Sequence, residues 1–231
     1  MDNQFERVIN VLGEENLARL QNSHVAVFGL GGVGSFTVEA LGRSGIGTLT
    51  LVDYDRVETS NLNRQLEATQ NTLKQDKTEA ISERLISINP DIKVIKKKVF
   101  VDENTVGECI GEDVDYVIDA IDNMNGKLAI WQYCKDHDIP FIACLGAARR
   151  LDPTKLVVTT LNKTQNDPMA RKLRYMARNR GMDLKVRVVY STEDPLKMNE
   201  SGVLGSMIFV PATAGLICAE ICIKEILNIE G

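Results

Sequence analysis

Apolar residues run almost without a break through 25–30, Val-Ala-Val-Phe-Gly-Leu, the pattern of a short strand buried on both faces. Four glycines follow, Gly29, Gly31, Gly32 and Gly34. Apolar positions then recur at helical spacing over 35–44, until Gly45 and Gly47 interrupt them ahead of a second apolar run at 48–52. Strand, glycine turn, helix and strand make a βαβ unit with two parallel strands. The alternation continues: a helix over 72–88, strands over 93–99 and 116–120, a helix over 125–138, and a strand over 141–145 introduced by Pro140. These elements predict an α/β fold with a doubly wound parallel sheet.

After Gly146 the texture changes. Strand-like runs at 156–161 and 184–190 flank a basic stretch whose centre, 171–180, reads as a helix. The uncharged segment 201–219 contains glycines and Pro211 and leads into Glu220, Lys224 and Glu225, a poor match for a membrane span. It predicts a buried loop followed by a helix, with Leu216, Ile217, Ile221 and Ile226 packed in a core or a subunit interface.

Composition narrows the class. At 231 residues, 44% hydrophobic and 26% charged, the chain suits one soluble domain with a substantial core. A net charge of -5 gives no global attraction to nucleic acid, but nine Lys or Arg stand against three Asp between Leu151 and Arg187, so a local basic face is expected. Five scattered cysteines with no Cys-x-x-Cys pair, and only His24 and His137, suggest reduced thiols and no structural zinc. The polar, acidic start lacks the features of a secretory signal, and a cytoplasmic protein without a membrane segment is expected.

The chemistry gathers where strands end. Gly29 permits a tight turn, Gly31 lets a phosphate approach the backbone, and Gly34 allows helix and strand to pack closely, while the following helix offers its positive end to an anion. Asp53, at the end of the second strand, is placed to accept from ribose hydroxyls; so far NAD and ATP fit equally. The next polar run, Asp53, Asp55, Asn61, Asn63, Arg64 and Gln65, followed by Lys77, favours a triphosphate, whose charge must be balanced during attack at the α-phosphorus. Asp122 ends another strand at the same edge and is the candidate Mg²⁺ ligand; Asp119 reads as a strand-end or capping residue, and Asp122 and Asn123 also suit a helix cap.

Taken together, the glycine turn, the Asp53-x-Asp55 pair, Ser60-Asn61-Leu62-Asn63-Arg64-Gln65, Lys77 and Asp119-Ala120-Ile121-Asp122-Asn123 resemble the ThiF/MoeB/ubiquitin-activating (E1-like) superfamily over roughly residues 1–146. The resemblance implies a Rossmann-like adenylation fold filling 1–231, with a nucleotide-binding core over 1–150 and, over 151–231, a substrate-side extension with a C-terminal dimer or core helix. It implies that ATP with Mg²⁺ adenylates a carboxylate, with Asp53 on the ribose, Asn61, Arg64 and Lys77 on the phosphates and Asp122 on the metal. Arg7 resembles an arginine donated to the neighbouring subunit's site, which implies a homodimer.

Zinc-binding Cys-x-x-Cys pairs and a catalytic-cysteine domain, typical of branches that activate sulfur carriers or ubiquitin, are missing from this sequence. Segments such as Gly146-Ala147-Ala148 and Tyr190-Ser191-Thr192-Glu193 are instead similar to the bacterial tRNA threonylcarbamoyladenosine dehydratases, nearly end to end. That branch implies cyclisation of the modified adenosine at tRNA position 37. The basic residues Arg149, Arg150, Arg171, Lys172, Arg174, Arg178 and Arg180 then become candidates for tRNA phosphates. Three other readings compete: adenylation of the C-terminal carboxylate of a ubiquitin-like or sulfur-carrier partner, an NAD-dependent oxidoreductase, and a nucleotide-binding module without turnover.

Overall fold

The structure is a computed structural model and describes residues 4–111, 113–197 and 204–229. Alternation along the first strand, β1 (His24–Phe28), sets the layers: Val25 and Val27 enter one hydrophobic core, Ala26 and Phe28 the other. Both faces must therefore be covered. The other strands are β2 (Thr48–Val52), β3 (Lys93–Lys97), β4 (Tyr116–Asp119), β5 (Phe141–Cys144), β6 (Leu156–Thr160) and β7 (Arg187–Ser191). They form one sheet in the order β3-β2-β1-β4-β5-β7-β6, parallel throughout except for the β6–β7 pair. The order turns back between β1 and β4, so the crevice beyond their carboxyl ends is where a doubly wound sheet binds its ligand.

Eight helices flank the sheet among the described residues. One face is covered by α2 (Glu14–Gln21), α3 (Gly34–Ser44), α4 (Lys77–Ile88) and α8 (Phe209–Leu227), which contribute Leu20, Val38, Leu41, Ile81, Leu85, Cys218 and Cys222 to its core. Each large apolar side chain buried there contributes about 1.5–3 kcal/mol. The opposite face is covered by α5 (Val106–Ile110), α6 (Met124–Asp136) and α7 (Pro168–Asn179), through residues such as Cys109, Leu128, Trp131 and Leu173. The short α1 (Glu6–Leu12) packs on α2.

Several elements differ from the expectation. The helix expected over 72–88 begins at Lys77, because residues 74–77 bond back to the chain after β2: Lys74 N donates to Val57 O, Val57 N to Gln75 O and Lys77 N to Asp55 O. Lys74 takes the left-handed conformation that this return requires. The strand expected over 184–190 starts at Arg187, since Leu184 and Val186 give their carbonyls to Asn162 and Leu161.

The C-terminal segment needs the largest correction. Residues 201–203 of the expected buried loop lie outside the described residues, but Leu204, Met207, Ile208 and Phe209 are exposed. The helix begins at Phe209 with Pro211 in its first turn, where a missing N–H costs nothing. Its buried face is small, Ala214, Gly215, Cys218, Ala219 and Cys222, whereas Leu216 points outward. A side chain at Gly215 would meet Val33 O at 2.3 Å, so α8 lies directly on the start of α3. Among the described residues no helix is long and apolar enough to cross a membrane.

Below the crevice Lys127 and Asp119 form a buried ion pair. Lys127 Nζ donates to Asp119 Oδ1 at 3.0 Å and to Cys144 O at 2.7 Å, while Trp131 Nε1 donates to Asp119 Oδ2 at 2.6 Å. Neither charged side chain reaches solvent. Burial pushes the Asp119 carboxyl up, against the opposing pull of Lys127 and Trp131. Asp119 is thus a structural tie joining β4, α6 and β5, neither a ligand nor a helix cap. Urea denaturation is expected to show a loss of about 3–5 kcal/mol for Lys127→Met, which strands the carboxylate, and a smaller loss for Asp119→Asn with Lys127→Met. Equal losses for the single and double variants would mean that the two residues do not act as a pair.

Candidate active site

The glycine turn fits a space that admits no side chain. Gly29 has φ +82°, and a Cβ there would lie 2.8 Å from Ala120 O; one on Gly34 would lie 1.7 Å from Gly29 O. Gly29 N donates to Val52 O and Ala120 N to Phe28 O, both at 2.8 Å, which fixes the turn between the ends of β2 and β4. The turn delivers the start of α3, with its positive dipole end, to the crevice.

Asp53 lies at the crevice floor, nearly buried. Its Oδ2 accepts from Leu30 N at 2.7 Å, within the glycine turn, and its Oδ1 accepts from Asp55 N at 2.8 Å. Each oxygen retains a lone pair for a ribose hydroxyl. Lys77, the first residue of α4, is brought to the same place by the backbone return described above. Its buried ammonium lies 3.3 Å from Asp55 Oδ2 and 3.9 Å from Asp53 Oδ2. The sequence reading set Lys77 against phosphates; here its partners are the two carboxylates, from which a triphosphate would have to draw it.

The remaining polar residues divide. Arg64 passes over the turn, its Cγ 3.5 Å from where a Cβ on Gly32 would be, and its Nη1 donates to Ser60 O and Asn63 Oδ1 at 2.8 Å each. Gln65 is buried beside Gly31. Asn61 instead spends its carbonyl on the Glu58 amide, closing the single helical turn Thr59–Asn61, and Asn63 donates to Ser206 O at 2.8 Å, tying this segment to the approach to α8. Pro211 also touches the turn, 3.3 Å from the position of a Gly32 Cβ.

Asp122 is exposed at the end of β4, and no described group bonds its carboxylate. Asn123 caps α6 by accepting from Gly126 N at 2.8 Å, the capping role that its position also suited. The fields of Asp55 foremost, then Asp122 and Asp53, push the Tyr54 phenol up, so these three carboxylates share one neighbourhood at the crevice mouth.

The basic residues do not act as one group. Arg150 is buried and paired with Asp167 at 2.9 Å, tying the loop after β5 to the N-terminus of α7; it is withdrawn from any phosphate, contrary to expectation. Arg174 turns inward to Thr164 O and its hydroxyl, and Arg149 donates to Leu196 O from a left-handed backbone. Arg180 bonds Asn125. Arg171, Lys172 and Arg178 remain on the exposed face of α7, alongside Tyr175, and no described carboxylate pairs with them. Arg7 lies on exposed α1; the neighbouring Phe5 packs on Gly45, at the opposite edge of the sheet from the glycine turn. It therefore does not join the crevice of its own chain.

Three residues that serve the site carried little signal in the sequence. Ser35 accepts from Leu66 N at 3.2 Å, Lys127 holds the β4 end, and Glu67 is buried behind Gln65. A lysine within the apolar stretch before Leu128 and Trp131 is the sort of anomaly that marks a buried pair; Glu67 looks like any surface glutamate. The five cysteines are free and buried, and burial pushes the Cys134 thiol up to about 12 and raises Cys109 and Cys222 as well. No cluster of three or more His, Cys, Asp or Glu side chains arranged to hold a metal occurs among the described residues.

The chain is 39% identical over 244 residues to the tRNA threonylcarbamoyladenosine dehydratase of Bacillus subtilis, covering 99% of this chain and 96% of that protein. It is 34% identical over 250 residues to the Escherichia coli protein of the same name, covering 97% and 93%. The crystal structure of E. coli tRNA N6-threonylcarbamoyladenosine dehydratase in complex with AMP superposes with a TM-score of 0.93 at 36% identity, covering 97% of this chain and 94% of that one. Its complex with ATP gives 0.91 at 35% identity, with the same coverage. The ThiF family model matches residues 5–230, and this chain belongs to the ThiF family.

Proposed function

We infer that this chain is an ATP-dependent tRNA-modifying enzyme, which adenylates the carboxylate of threonylcarbamoyladenosine at position 37 of tRNA and closes it into a ring with net loss of water. The observation that carries this reading is the convergence of the glycine turn, Asp53, Arg64, Lys77 and Asp122 on one crevice, in a chain similar over nearly its whole length to dehydratases of that name.

Asp53 accepts from the ribose hydroxyls. Arg64 and Lys77 balance the phosphate charge, and the α3 terminus supports it. Asp122, exposed and without a described hydrogen-bond partner, suits Mg²⁺, a cation that takes one or two carboxylates and fills its remaining positions with phosphate and water oxygens. Bound there, Mg²⁺ would offset charge on the phosphates. The threonine carboxylate attacks the α-phosphorus, the bond to the β-phosphate bridging oxygen breaks, and pyrophosphate departs with the electron pair. A nitrogen of the same substrate then attacks the acyl carbon, AMP leaves, and the nitrogen's proton passes to solvent. Because both reacting groups belong to one molecule, positioning supplies much of the second step. The buried cysteines are not needed.

Residues 1–150 carry the nucleotide in this reading, and 151–231 the substrate side, with Arg171, Lys172 and Arg178 of α7 facing tRNA phosphates. Arg7, remote from its own crevice, completes the site of a second subunit in a homodimer.

Mass spectrometry of nucleosides, after incubating tRNA bearing threonylcarbamoyladenosine with the protein and Mg·ATP, is expected to show loss of one water with release of AMP. Asp122→Ala should reduce that turnover about a hundredfold or more while remaining folded. No dehydrated nucleoside from folded, ATP-binding wild type would redirect the reading to a protein carboxylate. Mixed dimers of Arg7→Ala and Asp122→Ala chains should regain part of the activity that each variant alone lacks; a mixture as inactive as its parents would refute a shared site. Arg171→Ala with Lys172→Ala should lower the slope of log tRNA affinity against log salt by about 1.5, with stability nearly unchanged. Arg150→Ala should instead cost about 3–5 kcal/mol of stability in urea, because it strands buried Asp167.

A further inference from the structure

Glu67 is 2% exposed, and no described group hydrogen-bonds either of its carboxyl oxygens. A buried carboxyl without partners is unfavourable, and far more so when charged. It lies within reach of Ser35, Asp53 and Lys77, beside the residues proposed to hold the nucleotide. Leu66 N, one position before it, bonds the Ser35 hydroxyl in the first turn of α3, and Gln65 Oε1, two positions before it, is likewise buried without a partner. Thr72 Oγ1 holds the Glu67 carbonyl at 2.6 Å, and the next residue, Ala68, packs with Val57 and Ala80, so the segment is fixed.

The groups acting on the carboxyl come from each neighbouring element: the Ser35 hydroxyl from α3, Asp53 from the end of β2 and Lys77 from α4. Lys77 is already shared between Asp53 and Asp55. An ionised Glu67 would add a third carboxylate to the field acting on one ammonium, at the floor of a crevice proposed to receive a triphosphate. Desolvation by burial, only partly offset by the nearby Glu67 backbone N–H and then by Lys77, raises Glu67 from 4.5 to about 7, so both protonation states are populated near neutrality.

We propose that Glu67 is a positioning residue for nucleotide binding: protonated, it lets Lys77 leave Asp53 and Asp55 for the phosphates; ionised, it restrains the ammonium and repels the incoming anion. The proposal rests on the nucleotide reading of the crevice. Its proton balance is simple. Below about pH 7 Glu67 already carries its proton, whereas above about pH 7 nucleotide binding draws one proton from solvent onto the carboxyl.

Titration calorimetry of the full chain with Mg·ATP tests this between about pH 6 and pH 8. Wild-type affinity is expected to fall about tenfold across that range, with close to one proton taken up at the upper end, read from buffers of different ionisation heat. Glu67→Gln should bind with nearly constant affinity, and at the upper pH about as tightly as wild type at the lower. Wild-type measurements decide the matter even if that variant misfolds: affinity independent of pH with no proton uptake overturns the proposal. An equal fall in wild type and Glu67→Gln overturns it too, while leaving the nucleotide reading intact. Wild type that binds no Mg·ATP at any pH overturns both.

Discussion

The whole ligand edge depends on how closely the glycine turn approaches the end of β4. Gly34 rests on Gly29 O, and Gly29 on Ala120, with no room for a Cβ at either place. That contact brings α3 down onto the sheet at the switch point between β1 and β4, and it aligns the helix terminus with Asp53 on one side and Asp122 on the other. Steric exclusion fixes the turn, and hydrogen bonds from Gly29 N and Ala120 N hold the strands to which it is attached. Beneath it, the Asp119–Lys127 pair ties β4 to α6 and β5 from inside the core. The edge is thus rigid where the ligand must be met.

Charge is distributed unevenly around this rigid frame. The crevice concentrates carboxylates, Asp53, Asp55, Asp122 and buried Glu67, and the buried ammonium of Lys77 lies beside the first two. These groups satisfy one another only in part. On the proposed function an arriving triphosphate would compete with Asp53 and Asp55 for Lys77 and pair with Arg64, exchanging one set of electrostatic partners for another. The positive charge of the second half, by contrast, is separated by burial. Arg150 and Arg174 serve the fold, while α7 presents Arg171, Lys172 and Arg178 outward.

Much of this was legible in the residues. The buried strand at 25–30, the glycine turn and Thr48–Val52 were visible because a strand covered on both faces must be continuously apolar and a tight turn onto a sheet must use glycine. Asp53 and Lys77 were placed at the crevice from position and charge alone, and there they stand. Asn61 and Asn123 were less legible, because asparagine serves equally well as ligand contact and backbone cap; here the side-chain carbonyls of both accept from the local backbone. The helix expected from residue 72 failed for a similar reason: bonds to residues 55–57, distant in sequence, outcompeted a helical pattern.

What the sequence determined by itself was the α/β class, the location of the ligand edge and the chemical types gathered there, because periodicity and turn chemistry are local and are written in consecutive residues. What only the tertiary structure decided was the protonation and pairing of individual charges. Arg150 and Arg171 are the same residue type in one basic stretch, yet the first is enclosed against Asp167 and the second faces solvent. Glu67 reads as a surface residue and lies in the core. Desolvation and the identity of a partner depend on which distant segments close over a side chain, and that information is absent from its neighbours in the chain.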